Sequence, residues 1–136
     1  MSLQTIRILL VDDSAAIRHA LCSLLRAHVE FEIVCESVNG LAAIGKTAEL
    51  QPDVILLDIN LPDMNGLEVA RQMKIVCPSA EILLLSEHDL WPMVKEGLRA
   101  GARGYVLKSD APDELATAIR QVHKKEQYIG VRFGVF

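Results

Sequence analysis

Aromatic side chains are scarce in this sequence: they make up 4% of its 136 residues, although 51% of the residues are hydrophobic. The core must therefore be built mainly from aliphatic side chains. No apolar run approaches the roughly 18 residues of a membrane-spanning helix, and the N-terminus lacks the profile of a signal peptide. We therefore expect a cytoplasmic protein that makes no contact with a membrane.

Disulfide frameworks and zinc motifs are missing as well. The three cysteines form no CxxC pair and lie inside apolar segments, which favours reduced thiols. The four histidines show no metal-ligand spacing. The net charge of -4 argues against nonspecific nucleic-acid binding by this chain, because such binding needs many Lys and Arg contacts to phosphate.

Apolar, strand-like segments alternate along the chain with segments that have helical periodicity. In the first helical segment, Ile17, Leu21 and Leu25 fall on one face. The predicted strands cover residues 6–11, 32–38, 53–58, 81–86 and 103–108. Five such strands, alternating with helices, predict a doubly wound α/β domain with a parallel sheet covered by helices on both faces.

Polar residues stand where the predicted strands end. Asp12 and Asp13 follow the first strand, Asp58 ends the third, Ser86 ends the fourth, and the fifth runs into Lys108. The carboxyl ends of parallel strands lie at one edge of the sheet, where open α/β sheets bind their ligands. Each of these residues alone is more often structural than functional, but their joint placement on separate strands favours a site.

The chemistry of this set points to a metal ion and a phosphoryl group. Clustered carboxylates repel each other unless a cation neutralises them, and oxygen ligands without Cys or His favour Mg²⁺ that keeps several waters. A carboxylate can also act as a nucleophile and form an aspartyl phosphate. Phosphoryl transfer chiefly needs positioning and positive charge against the phosphoryl oxygens. The pattern thus favours Asp58 as nucleophile, with Lys108 and Ser86 contacting the phosphoryl group.

Four motifs together resemble the receiver domain of two-component response regulators. They are "LLVDDS", "DVILLDINLPDMNG", "EILLLSEHD" and "GLRAGARGYVLKSDAPDEL", and the resemblance runs from about Thr5 to Tyr128. The segment "AGARGYVLK" is most similar to receivers that precede a LuxR/NarL-type helix-turn-helix. The resemblance implies a flavodoxin-like receiver fold, with a five-stranded sheet in the order 2-1-3-4-5, and a signalling domain rather than an enzyme.

The resemblance also implies a role for each matching residue. Asp58 would accept a phosphoryl group from the phosphohistidine of a sensor histidine kinase. Asp12, Asp13 and Asp58 would hold Mg²⁺ together with the backbone carbonyl of Asn60, which leaves the Asn60 side chain free to tune the phosphoryl lifetime. Lys108 would form a salt bridge to the phosphoryl group.

A switch is the further implication of the resemblance. Ser86 would move toward the phosphoryl group and Tyr105 would turn inward, which changes the face made by the fourth helix, fifth strand and last helix. A phosphoryl group brings about two negative charges and three acceptor oxygens, enough to select one of two packings that differ by a few kcal/mol. The expected partners are a sensor histidine kinase, a second copy of the chain on phosphorylation, and DNA only through a C-terminal domain that this chain lacks.

Two positions depart from the family's usual pattern. Glu87 stands where receivers generally keep a small residue, so we expect slower phosphorylation, or a changed acyl-phosphate lifetime, compared with Glu87→Ala. Ser109 replaces the Pro that follows the Lys in many receivers, and a cis bond without Pro would cost about 3 kcal/mol. We expect a receiver domain over residues 1–126, and we interpret 127–136 as a tail or the start of a linker in a truncated regulator.

Other functional classes fit less well. A stand-alone receiver and a phosphate-independent pseudo-receiver remain alternatives, the second because of Glu87. A haloacid-dehalogenase-type phosphatase would need a second Asp two places after the nucleophile, where Asn60 stands. A nicotinamide-binding domain would need a Gly-rich turn after the first strand, where the sequence reads "DDSAAI".

Overall fold

The computed structural model describes residues 4–133, apart from the side chain of residue 132. Strands and helices alternate throughout this part of the chain. The strands are β1 (Ile6–Val11), β2 (Phe31–Ser37), β3 (Val54–Asp58), β4 (Glu81–Ser86), β5 (Gly104–Leu107) and β6 (Tyr128–Ile129). The helices are α1 (Ala15–Arg26), α2 (Gly40–Leu50), α3 (Gly66–Val76), α4 (Trp91–Arg99) and α5 (Ala111–His123), with short 3₁₀ helices over Lys108–Asp110 and Val131–Phe133.

All the strands form one parallel sheet in the order β2-β1-β3-β4-β5-β6. The predicted α/β fold and the order of its first five strands are confirmed, but the count of five is wrong because the described residues form a sixth strand. β6 pairs with β5 through Gly104↔Tyr128 and Tyr105↔Ile129. A strand of two residues is too short to show an alternating pattern. The expected domain boundary after residue 126 stays a prediction.

Side-chain alternation along the strands divides the core between the two faces of the sheet. On β1, Leu9 and Val11 point to one face while Ile8 and Leu10 point to the other. The first face is covered by α2, α3 and α4, and the second by α1 and α5. Because both faces are buried, β3 and β4 are buried at every position and apolar except at Asp58, Glu81 and Ser86, as is typical of parallel sheets.

Three helices begin with a polar N-cap residue, at the edge of the sheet where the strands end. The side chains of Ser14, Asn39 and Asn65 accept hydrogen bonds from the backbone N–H groups of the first turns of α1, α2 and α3. Such caps satisfy donors that have no partner within the helix. They fix where the loops leaving β1, β2 and β3 turn back, and so they shape the edge of the sheet that carries the polar residues.

Candidate functional site

The register of the sheet brings the strand ends to one place. Val11 lies opposite Leu57, Asp58 opposite Leu85, and Ser86 opposite Leu107. The residues that end or follow these strands therefore lie side by side, as the sequence predicts for the carboxyl edge of a parallel sheet.

Three carboxylates meet at this edge. Asp12, Asp13 and Asp58 each place an oxygen within 4.8 Å of the other two. Asp12 and Asp58 are only 1% and 2% exposed, whereas Asp13 is exposed. The Lys108 ammonium lies 2.9 Å from Asp12 Oδ2 and 3.2 Å from Asp58 Oδ1. One ammonium therefore faces three carboxylates, and the cluster keeps an excess of negative charge.

The titration of this cluster follows from its burial and its ion pairs. Burial raises the pKa of Asp58, and the Asp12 charge adds to the rise, against the hydrogen bond from the Asn60 amide and the Lys108 charge. For Lys108, burial alone would lower the pKa, but the two neighbouring carboxylates outweigh it and raise the pKa above its ordinary value. Lys108 is therefore a permanent cation at neutral pH.

The oxygen atoms of the cluster suit a divalent cation. Asp12 Oδ1 accepts a hydrogen bond of 2.9 Å from the Ser14 amide. Asp12 Oδ2 is buried and accepts no hydrogen bond of standard geometry, although the Lys108 ammonium is its ion-pair neighbour. The single ammonium leaves further lone pairs of the two buried carboxylates unused, and coordination to a hard ion such as Mg²⁺ would engage them. The acidic cluster could thus hold Mg²⁺.

The loop between β3 and α3 folds tightly around Asp58. The Asn60 amide donates a hydrogen bond of 3.0 Å to Asp58 Oδ1, and the Gly66 amide donates one of 2.9 Å to the Ile59 carbonyl. A Cβ on Gly66 would lie 2.6 Å from both Cα and O of Ile59, so only glycine permits this approach. The loop also lines an open cleft of about 470 Å³ that reaches Asp13.

Asp63 holds this loop from the other side, a role that sequence reasoning missed. Its carboxylate accepts hydrogen bonds of 2.8 and 3.0 Å from the Gly40 and Leu41 amides at the start of α2. These two hydrogen bonds lower the pKa of Asp63. No local pattern announces the pairing, since the partners are more than twenty residues apart in the chain.

Ser86 connects to Tyr105 through the backbone of His88. The His88 amide donates a hydrogen bond of 3.0 Å to Ser86 Oγ, and Tyr105 donates one of 2.9 Å from its hydroxyl to the His88 carbonyl. Tyr105 is completely buried, and this burial is the main reason its pKa is raised. His88, to which the sequence assigned no role, also places its Nε2 3.4 Å from the Asn60 side-chain nitrogen.

The sequence matches a known family over most of its length. The family model of the response regulator receiver domain matches residues 8–120. The chain belongs to this family.

Relatives of this receiver include a longer transcriptional regulator and a protein of similar length. It is 35% identical over 118 residues to the transcriptional regulatory protein LnrK of Bacillus subtilis, a match that covers 87% of this chain and 54% of LnrK. It is 33% identical over 118 residues to the chemotaxis protein CheY of Thermotoga maritima, covering 87% of this chain and 98% of CheY. The chain thus spans about half the length of LnrK but nearly all of CheY.

Solved structures agree with this assignment. The two-component response regulator of the LuxR family from Aurantimonas sp. SI85-9A1 superposes with a TM-score of 0.88 at 30% identity, covering 92% of this chain and 89% of that one.

Receiver domains interact with histidine kinases, and relatives of this one are transcriptional regulators. Among the described residues, no helix of the receiver is long and apolar enough to cross a membrane.

The two departures from the usual receiver pattern lie beside the site. Glu87 follows Ser86 directly and is exposed, so its effect on a phosphoryl group stays a prediction. The peptide bonds within residues 4–133 include no cis bond, and Lys108 and Ser109 form a 3₁₀ turn that leads into α5. The Lys108 ammonium nevertheless reaches both buried carboxylates.

Proposed function

We propose that this receiver accepts a phosphoryl group on Asp58 from the phosphohistidine of a sensor histidine kinase. The observation that carries the proposal is the position of Asp58: a buried carboxylate at the tip of the middle strand, 3.2 Å from an ammonium and within 4.8 Å of two further carboxylates. A carboxylate fixed in this way can act as a nucleophile. The Lys108 ammonium lies beside it to contact the phosphoryl oxygens, and the other two carboxylates lie beside it to bind a metal ion.

The transfer needs one bond to form and one to break. A carboxylate oxygen of Asp58 attacks phosphorus, the P–N bond of the phosphohistidine breaks, and its electron pair returns to the imidazole. Lys108, which pairs with Asp12 and Asp58, stands ready to contact a phosphoryl oxygen, and Ser86 Oγ can donate a hydrogen bond to another. These contacts stabilise the charge that develops on the phosphoryl oxygens.

We assign the metal to Asp12, Asp13, Asp58 and the backbone carbonyl of Asn60. When bound, Mg²⁺ would neutralise the repulsion between the carboxylates and the incoming phosphoryl group. Lys108 alone offsets one of the three carboxylate charges, and this is why a divalent ion fits the cluster. Tyr105 and Ser86 would then form the switch, and the face built from α4, β5 and α5 would change with it.

The output of this switch is the second part of the proposal. Because LnrK is a transcriptional regulatory protein and the Aurantimonas structure belongs to the LuxR family, we infer that phosphorylation controls transcription, through a homodimer and a C-terminal helix-turn-helix that alone would contact DNA. The full-length match to CheY supports a stand-alone receiver as the alternative.

Intact-mass analysis tests the phosphoryl transfer. After incubation with acetyl phosphate or a phosphorylated kinase, in the presence of Mg²⁺, we expect one added PO₃ unit. Asp58→Asn should abolish the addition. Asp53→Asn is the matched control, because Asp53 lies just before the same strand, at the opposite edge of the sheet, and should behave as wild type. An unchanged mass, with a donor shown to be active on another receiver, would contradict the proposal.

A further inference from the structure

The last described segment of the chain pairs with β5 at the edge of the sheet. We call residues 128–133, which comprise β6 and the 3₁₀ helix after it, the C-terminal strap. The Tyr128 amide donates a hydrogen bond of 3.1 Å to the Arg103 carbonyl, and the Gly130 amide donates one of 2.9 Å to the Tyr105 carbonyl. The strap thus pairs directly with the strand that carries the switch tyrosine.

A buried acid outside the phosphoacceptor site anchors the strap. Glu114 on α5 is 6% exposed. Its Oε1 accepts hydrogen bonds of 2.7 Å from the Tyr128 hydroxyl and 3.0 Å from the Val131 amide. Burial, and then the hydrogen bond to Glu114, raise the pKa of Tyr128, so the phenol remains a donor. These contacts make the docked position of the strap specific.

An aromatic contact links the strap to the switch. The Phe133 ring packs edge-on against the Tyr105 ring, with centroids 5.5 Å apart and planes at 87°. This is the geometry that aromatic pairs prefer. The Tyr105 hydroxyl in turn donates a hydrogen bond to the His88 carbonyl, and the His88 amide donates one to Ser86 Oγ. A continuous path of contacts therefore runs from the phosphoacceptor site to Phe133.

We propose that the stability of the docked C-terminal strap depends on the orientation of the Tyr105 side chain. The inward Tyr105 ring and the docked strap stabilise each other, since an outward rotation of Tyr105 would leave Phe133 without its ring partner. This inference rests on the proposed function, in which modification of Asp58 favours the inward ring. Coupling between two sites is reciprocal. A phosphoryl group on Asp58 therefore stabilises the docked position of the strap, and a docked strap increases the affinity of the site for a phosphoryl group or its mimic.

Amide hydrogen exchange of the full chain measures the first half of this coupling. We expect Mg²⁺ with beryllofluoride, a mimic of the phosphoryl group, to raise the protection of the Gly130 amide by about two- to tenfold, the factor that one aromatic pair supplies. Gly130 is the right probe because its amide donates to the Tyr105 carbonyl.

A substitution in the strap measures the second half. Phe133→Leu keeps an apolar side chain but removes the edge-on ring, so the concentration of beryllofluoride needed for half-saturation, followed by Trp91 fluorescence, should rise by the same factor of about two to ten. Val131→Ala is the matched control: Val131 lies in the same strap, is 75% exposed, and bonds to Glu114 only through its backbone amide. It should leave the half-saturation concentration unchanged.

The outcomes separate this inference from the proposed function. If beryllofluoride changes Trp91 fluorescence while the Gly130 protection stays constant, or if Phe133→Leu binds beryllofluoride like wild type, the coupling is refuted and the phosphoacceptor function stands. If neither acetyl phosphate nor beryllofluoride affects the protein, the proposed function fails and the coupling fails with it.

Discussion

Replacing Lys108 with Met removes the ammonium that two buried carboxylates share. Its Nζ lies 2.9 Å from Asp12 and 3.2 Å from Asp58, and these residues are only 1% and 2% exposed, so little water reaches the two carboxylates once the ammonium is gone. Removing one partner of a buried ion pair costs about 3–5 kcal/mol. Because the Lys108 side chain is itself 14% exposed, we expect the lower end, about 3 kcal/mol at neutral pH without metal.

Urea unfolding followed by Trp91 fluorescence measures this loss. With a slope of about 2 kcal/mol per molar urea, the midpoint in EDTA should fall by about 1.5 M. Saturating Mg²⁺ at about 100 times its dissociation constant stabilises a protein by about 2.7 kcal/mol. It should help the variant more than wild type, because the variant's carboxylates lack their ammonium. Lys95→Met, at an exposed position on α4, is the control and should leave the midpoint unchanged.

The pH dependence gives a second check on the same variant. Burial raises the pKa of Asp58, so the folded state binds this proton at a higher pH than the unfolded state. Stability therefore falls as the pH rises from the unfolded pKa to the folded pKa of Asp58. Without Lys108 the pKa rises further, and the deficit of the variant should shrink as the pH falls from about 7 toward about 5. Equal midpoints in EDTA at neutral pH, or a deficit independent of pH, would refute the reasoning.

Three further substitutions test other parts of the receiver. Burial alone would raise the pKa of Glu81, but hydrogen bonds from Arg103 and Lys125 outweigh it and lower the pKa below 4.5. Glu81→Gln should therefore cost about 1 kcal/mol in urea unfolding at neutral pH, and this cost should shrink as the pH falls below about 4; a cost independent of pH would contradict this. Gly66→Ala should cost about 1–3 kcal/mol and weaken Mg²⁺ binding in a titration, because its Cβ would displace Ile59 beside Asp58; unchanged Mg²⁺ affinity would argue against it. Glu87→Ala should speed phosphorylation by acetyl phosphate about two- to threefold at low salt, and equal rates for both proteins would dispose of the repulsion.

The site could be predicted because a parallel sheet turns sequence position into spatial position. Asp12, Asp58 and Ser86 each follow a strongly apolar run, and parallel strands end at one edge. Their proximity therefore needed no contact prediction, only the recognition of the strands. The position of the Lys108 ammonium between two carboxylates depends on more than the strand end, because Lys108 lies in a 3₁₀ turn beyond β5 and only the reach of its side chain brings the ammonium there.

The residues that sequence reasoning missed act through partners far along the chain. Asp63 caps α2 across 23 positions, and the Tyr128 hydroxyl meets Glu114 across 14. Neither pair has a local signature, because periodicity reports which face of one element is buried and not which neighbour it meets.

The apolar strands, their parallel arrangement and the acidic edge were thus determined by the sequence alone. Each strand or helix is encoded by the pattern of its own segment, and strands that alternate with helices along the chain form a parallel sheet. Only the tertiary structure decided that the chain after α5 returns to the sheet as β6. A strand of two residues forms because β5 offers it unpaired backbone groups and Glu114 offers it a buried acceptor, and both depend on how distant segments pack.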